Sequence, residues 1–344
     1  MLSKNEVLGQ SKAAFRQWGD LWAKNAAING EKYKNDKKSY KDFLYTGTGK
    51  TIACVGLAPS FEKSVSLLKQ YRDNIDIAVV DKALGSCIDN GIIPNMVFIM
   101  DSITDYERWC EPWIDKTENI ILISNITANP IWAQNWKGPV YFTTNKDNIQ
   151  TEQIHGKISG CWDIIPASSN VGNSIVVFVT QLMNYDEYLL VGFDFVFTPD
   201  MNYYAFQDMD KRYWMRHGVV IDNYGRYAYI TQNLLFTCRW LDDFYIAELR
   251  PRGFRIVNCS GGTILANVPC ANLERKLKHI KKRQFNDQEK QLVMKSHLQE
   301  EVIQASPEAG KILQDTLVEK KFIGEVIVRY YKQDFIQWMN ERTA

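Results

Sequence analysis

The sequence predicts an α/β protein built on a doubly wound, mostly parallel sheet, with a helix ahead of it and a helical extension behind it. Three observations carry this expectation. Short, nearly continuous apolar runs recur between residues 51 and 258; stretches of helical length separate them; and several of the runs end on a glycine or an aspartate. A strand whose two faces are both covered reads as an unbroken apolar run, the pattern of a parallel sheet with helices on each side.

Residues 4–45 mix charged and aromatic side chains, and Phe15, Trp18, Leu21, Trp22 and Ala26 share one helical face. This predicts an amphipathic helix that ends near Asn29 and Gly30 and packs on the main domain. TIACVG from Thr51 is a strand that stops at a glycine, APS a tight turn, and FEKSVSLLKQYRDN a helix. IDIAVVD is a second strand, ALGSCIDNG a short helix stopped by Gly91, and NMVFIMD a third strand; NIILISNIT and PVYFTT continue the alternation. SIVVFVTQLMNY has helical length, YLLVGFDFVF is the most apolar strand of the chain, and FRIVNCSGG is the last strand. Beyond Ala271, NLERKLKHIKKRQFNDQEKQ is a highly charged helix, and residues 307–340 supply one or two amphipathic helices. The expected division is a helical segment over 1–46, a nucleotide-binding catalytic domain over 47–270 and a helical extension over 271–344.

With 344 residues, 45% of them hydrophobic, the chain is long enough for one large α/β domain with a smaller attachment. Its 41 basic and 40 acidic residues leave a net charge of +1, so nothing global attracts nucleic acid or an anionic membrane, and any anion site must be local. Seven cysteines are scattered singly, without a C-x-x-C pair, and read as reduced thiols. The opening MLSKNEVLGQSKAAFRQW lacks the apolar run of a leader, and no stretch approaches the length of a membrane span. A cytoplasmic location is the expectation.

In open α/β sheets ligands lie beyond the carboxyl ends of the strands, where the strand order switches, so the turns after the strands carry most weight. Gly56, Ala58, Pro59 and Ser60 form the first: a glycine allows close backbone approach, and Ser60 can cap the helix that follows, although a plain structural turn has the same composition. Asp81 and Asp101 end strands, where a carboxylate can hold a ribose hydroxyl, a metal or a proton in transit. Asp101 with Asp105 offers oxygens to Mg²⁺, and an acid there can equally cap the next helix. Ser169, Asn170, Gly172, Asn173 and Ser174 make a donor-rich loop before a helix, suited to a phosphate or to simple capping. Asp194 follows the strongest strand, and a carboxylate there is costly to bury unless hydrogen-bonded or functional. Gly261, Gly262 and Thr263 form a flexible turn after the last strand.

The polar, aromatic stretch 201–229 has the length of a lid or acceptor platform, with Tyr203 and Tyr204 able to stack on a base, Arg212 and Arg216 able to pair with phosphate, and His217 a candidate acid or base. Two motifs are decoys. TGTGKT at 46–51 has the tail of a phosphate-binding loop, but Leu44 stands where its first glycine belongs and a strand follows where a helix should. The four histidines form no H-E-x-x-H pair, which argues against a zinc hydrolase.

Taken in order, GLAPS, NGIIPNMVFIMDS, SSNVGNS, LLVGFDF and SGGT resemble, over roughly residues 50–270, the domain shared by motility accessory factor glycosyltransferases and MptE-like 6-hydroxymethylpterin pyrophosphokinases. The former decorate flagellin with nonulosonic acids. The segment from Ser168 to Phe195 is also similar to family 42 sialyltransferases, which use a CMP-activated sugar. The resemblance implies a Rossmann-like fold, with Gly56–Ser60 and Ser169–Ser174 on the nucleotide, and Gly261 to Thr263 near it. Asp101 and Asp194 would line the site; the candidate base, read from the residues and not from the resemblance, is Asp194 or His217.

The activity so implied is glycosyl transfer from a nucleotide donor, with a CMP-linked nonulosonic acid as the implied sugar, to a hydroxyl of a protein or glycan, with no cofactor. Two alternatives stand beside it: ATP- and Mg²⁺-dependent diphosphate transfer with the metal at Asp101 and Asp105, and non-catalytic binding of a nucleotide or sugar. The pattern departs from both enzyme groups. Leu57 stands where the sialyltransferases carry an asparagine, and NYYAF at 202–206 lacks their histidine; Asn95 follows Pro94 where the pyrophosphokinases favour aspartate, and the acids that follow are four residues apart.

Overall fold

The computed structural model describes residues 4–146, 155–206 and 218–280, apart from positions 162 and 167. Its strands are β1 (Thr51–Val55), β2 (Asp76–Val80), β3 (Met96–Ile99), β4 (Ile121–Asn125), β5 (Val140–Lys146), β6 (Ile164–Pro166), β7 (Glu187–Val191), β8 (Gly218–Ile221), β9 (Tyr227–Ile230) and β10 (Ile256–Asn258). Eight of them form one sheet in the order β10-β7-β1-β2-β3-β4-β5-β6, and every pairing in it is parallel. Strands two to six step outward on one side of β1, while β7 and β10 lie on the other. The strand order therefore reverses at β1 and β7, where Thr51 to Val55 run alongside Glu187 to Val191.

The apolar runs are continuous because both faces of the sheet are covered. Ala53, Val55, Ile77, Val79, Val97 and Ile99 point to one face and join Leu68, Leu84 and Trp132 from the helices Val65–Gln70, Leu84–Asp89 and Pro130–Asn135. Ile52, Cys54, Ala78, Met96 and Phe98 point to the other and meet Phe178, Trp240 and Phe244 of the helices Val171–Phe178 and Gln232–Phe244. The doubly wound α/β arrangement is as the sequence predicts. All seven cysteines are free, and burial raises the thiols of Cys54 and Cys87, which leaves them inert.

Several boundaries differ. The N-terminal helix runs Lys4–Asn35 and does not stop at Gly30. That glycine sits mid-helix because a Cβ there would lie 2.6 Å from the Ser159 backbone, so it marks a close approach and not a cap. The expected helix after Pro59 is broken into a 3₁₀ turn (Pro59–Lys63) and Val65–Gln70. The apolar run YLLVGFDFVF is a strand only to Val191; Phe193, Phe195 and Phe197 are buried in a loop, so their apolarity reflects packing and not sheet. The short β6, the β8–β9 hairpin and the helix Gln232–Phe244 have no counterpart in the sequence reading. Of the C-terminal extension, Leu273–Lys278 is helical as expected, and residues 281–344 lie outside the described residues.

Candidate functional site

At the carboxyl ends of β1 and β7 the two chains nearly touch. Gly56 N–H donates to the Val191 carbonyl at 2.8 Å and Ala58 N–H to the Gly192 carbonyl at 3.2 Å. A Cβ on Gly56 would lie 2.4 Å from the Gly192 oxygen, and one on Gly192, whose φ is +70°, would lie 2.4 Å from the Gly56 oxygen. Two glycines thus let two strand ends converge and open a cavity of about 500 Å³ above them. That is the size of a small-molecule site, and it sits where the strand order reverses.

The floor is polar. Asn170 caps the helix Val171–Phe178, its Oδ1 accepting the Asn173 N–H at 2.7 Å, and Ser169, Asn170 and Gly172 line the cavity. The amide end of that helix therefore faces the space above Gly56. Asp81, Lys82 and Asp101 line the same cavity. Asp81 is buried and accepts from the Lys82 N–H (2.8 Å) and the Thr104 hydroxyl (3.0 Å); burial raises its pKa against the pull of Lys82. Burial would lower the Lys82 ammonium, but Tyr204, Asp81 and Asp101 more than offset it and its pKa is raised, so the side chain stays charged. Its Nζ donates to the Tyr204 hydroxyl at 3.1 Å. Among the described residues lining the cavity, Lys82 is the one basic side chain.

Asp194 lines the same cavity and is 4% exposed. Its carboxylate accepts the Ser60 N–H at 2.9 Å and the Ser60 hydroxyl at 2.5 Å. Burial pushes its pKa up to about 7 although both Ser60 bonds act the other way. A carboxyl so placed exchanges its proton near neutral pH, as a general base requires.

The walls are aromatic. Trp18 and Trp22 come from the N-terminal helix, Phe193 and Phe195 from the loop after β7, and Tyr203 and Tyr204 from the segment after it. Tyr203 and Tyr204 have ring centroids 4.5 Å apart, with Phe197 4.9 Å behind Tyr203.

Of the residues expected to bind nucleotide, Gly56, Ala58, Asp81, Ser169, Asn170 and Gly172 are brought together here, with Asp101 and Asp194 beside them. Others have structural tasks. Pro59 opens the 3₁₀ turn, and Ser60 does not cap it, because Ala58 holds the cap position and Ser60 is bonded to Asp194. Asn173 is fully buried, its amide donating to Ser169 Oγ and the Thr237 carbonyl, and Ser174 contacts Ser168 and Met100 beneath the cavity floor. Asp105 is outside the lining and caps Tyr106–Trp109 through the Arg108 N–H, so it does not pair with Asp101. Gly261, Gly262 and Thr263 do not reach the cavity: Thr263 bonds the Phe193 carbonyl and receives the hairpin's Asn223 N–H. His217, Arg212 and Arg216 lie outside the described residues. The decoy TGTGKT lies at the opposite, amino end of β1, tied to Met183 and Asp186. Sequence reasoning missed Lys82, although its place directly after a strand-end acid is a signal, and it read Trp18 and Trp22 as packing residues only.

Among the described residues no three His, Cys, Asp or Glu side chains gather as a metal site, and no helix is long and apolar enough to cross a membrane. Asp101 is exposed at the cavity, one oxygen accepting the Ile103 N–H. It is the carboxylate open to a cation, and Mg²⁺ held there would draw most of its ligands from water and substrate phosphates, as that ion commonly does.

A family model described as 6-hydroxymethylpterin diphosphokinase MptE-like matches residues 24–200. The chain belongs to the MptE-like family. The matched span of this MptE-like protein holds Gly56, Asp81, Lys82, Asp101, Asn170 and Asp194, and leaves out Trp18, Trp22, Tyr203 and Tyr204. No curated protein matches the chain. Among solved structures, the MAf glycosyltransferase from Magnetospirillum magneticum AMB-1 shares its fold at 16% identity with a TM-score of 0.56; the match covers 80% of this MptE-like chain and 42% of that one.

Proposed function

We propose that the cavity binds a nucleotide-activated sugar and that the protein transfers the glycosyl group to a hydroxyl acceptor. The observation that carries this is the convergence on one cavity, at the switch in strand order, of the amide end of helix Val171–Phe178 and the charged Lys82. Those are two independent anion-attracting elements, placed where a sugar's leaving phosphate gathers charge. As the bond from the anomeric carbon to the phosphate oxygen breaks, the nucleoside phosphate departs with the electron pair, stabilised by Lys82 and the helix amides. The acceptor oxygen forms the new bond to the anomeric carbon and yields its proton to Asp194, whose pKa near 7 suits that task. The fold shared with a MAf glycosyltransferase supports the reading. A CMP-linked nonulosonic acid as donor, a protein or glycan acceptor, residues 47–270 as the catalytic unit and a cytoplasmic setting belong to the same proposal.

The second reading is diphosphate transfer from ATP to a small alcohol. It is favoured by the description of the matching family and by Asp101, an exposed carboxylate lining the same cavity as the helix amides.

Thermal unfolding of the purified chain with CMP, CDP, UDP, GDP and ATP, each with and without Mg²⁺, separates the two. A ligand at a hundredfold excess over its Kd adds about 2.7 kcal/mol to the folded state. Stabilisation by CMP without metal, lost in Lys82→Ala, is the expected result. Stabilisation by ATP only with Mg²⁺, lost in Asp101→Ala, moves the assignment to the second reading, and no response to any nucleotide overturns both.

A further inference from the structure

The N-terminal helix reaches the cavity at a fixed rotation. Asn25 and Asn29 are buried, and each side-chain amide donates to two carbonyls beyond the ends of β3 and β4: Asn25 to Ser102 (3.3 Å) and Thr127 (3.1 Å), Asn29 to Ile126 and Ala128 (both 3.0 Å). Residues 18, 22, 25 and 29 fall at the spacing of one helical stripe. A helix pinned at 25 and 29 cannot roll without breaking four hydrogen bonds, so the pinning sets where Trp18 and Trp22 stand. Both line the cavity, and both are half-buried. Trp22 is backed edge-on by His155 with centroids 6.3 Å apart. Tyr203 and Tyr204, from the far end of the described chain segment, line the same space.

We infer that Trp18 and Trp22, with Tyr203 and Tyr204, form a subsite for a planar heteroaromatic ring, holding the base of the nucleotide while Lys82 and the helix amides hold its phosphate. The inference rests on the nucleotide-binding reading above and adds to it the ring-recognising residues, all four of them outside the span matched by the family model. The chemistry is that of aromatic faces, which stack on any flat ring and leave hydrogen-bonding edges to decide which. A nucleobase and a pterin share this ring chemistry, so the test includes both.

Calorimetric titration of the full chain with CMP, with 6-hydroxymethylpterin and with ribose 5-phosphate, which keeps the sugar and phosphate but has no ring, reads the subsite directly. Trp18→Ala and Trp22→Ala should each weaken the ringed ligand that binds by about tenfold, leave ribose 5-phosphate unchanged, and regain most of the loss in Trp18→Phe and Trp22→Phe. The Phe variants keep an aromatic face, and unchanged binding of ribose 5-phosphate separates a lost ring contact from a general loss of packing. Ringed-ligand affinity that survives both Ala variants overturns the subsite, as does equal weakening of ribose 5-phosphate. If wild type binds ribose 5-phosphate as tightly as CMP, the ring subsite fails while the phosphate reading stands; if it binds none of the three, both fail.

Discussion

Ser60 gives both of its donors to one carboxylate: its backbone N–H and its hydroxyl reach Asp194 at 2.9 and 2.5 Å. The two bonds join the turn after β1 to the turn after β7 across the point where the strand order reverses, so a residue outside the cavity lining holds the candidate base in place.

That burial has a pH signature. The Asp194 carboxyl is raised from the ordinary 3.8 to about 7 in the folded chain. Between those values the folded chain holds a proton that the unfolded chain releases. Its contribution to stability is therefore fully present below pH 4 and is lost as pH rises through 7. Asp194→Asn removes this titration, so the stability of wild type relative to the variant should decline from pH 5 to pH 8. Asp81 and Asp242 are also raised by burial, but they are common to both proteins and cancel. Urea unfolding at the two pH values checks this, and an unchanged difference would falsify it.

The contact between Gly56 and Gly192 is a backbone contact, and no side chain can rotate away to relieve it. A methyl group on either would stand 2.4 Å from the other's carbonyl oxygen. Each glycine-to-alanine change should cost about 3 kcal/mol. Gly192→Ala should cost more, because its φ of +70° adds about 1 kcal/mol for any residue with a Cβ. Urea midpoints equal to wild type in both variants would show that the strand ends are free to separate.

Asn29 is a donor facing two acceptors, the Ile126 and Ala128 carbonyls. Asn29→Ala should lose about 2 kcal/mol, since it strands buried carbonyls. Asn29→Asp should lose more despite its nearly identical shape, because it points a carboxylate at the same two oxygens in a buried setting. Thermal unfolding that ranks Asn29→Asp at or above Asn29→Ala would mean that water, and not the amide, serves those carbonyls.

The central strands were legible because a parallel strand has to be apolar on both faces, and TIACV, DIAVV and MVFI have no other way to be buried. The same rule misled at YLLVGFDFVF, where the apolar residues past Gly192 fill the space around Asp194 and pair with nothing but an isolated bridge at Phe197. β6, three residues ending in Pro166, is too short to carry a pattern. At the site, Gly56, Asp81 and Asn170 were legible from their positions after strands and before a helix. Gly261 and Gly262 obey the same local rule yet lie outside the cavity, Gly261 against Ser60 and Gly262 against Asp222 and Arg226 of the hairpin, since position after a strand does not say which strand end meets the cavity. Trp18 and Trp22 were invisible as site residues because only the pinning of Asn25 and Asn29 to distant carbonyls turns that face of the helix inward.

Asn170 serves the fold through its side-chain oxygen and, in the proposed function, serves the ligand through the helix end it caps. The two tasks separate by charge. Asn170→Asp retains an oxygen for the Asn173 N–H, now at 2.7 Å, so stability should stay within about 0.5 kcal/mol of wild type. The added negative charge would sit beside the phosphate and opposite Lys82, and should weaken nucleotide binding on the order of tenfold or more, less so at high salt. Asn170→Ala should behave in the opposite way, losing about 1 kcal/mol of stability with the cap and weakening the nucleotide far less. Urea unfolding and calorimetry on the same two variants give both numbers. If the aspartate variant binds nucleotide as well as wild type, the phosphate lies away from this helix and Lys82 holds it alone.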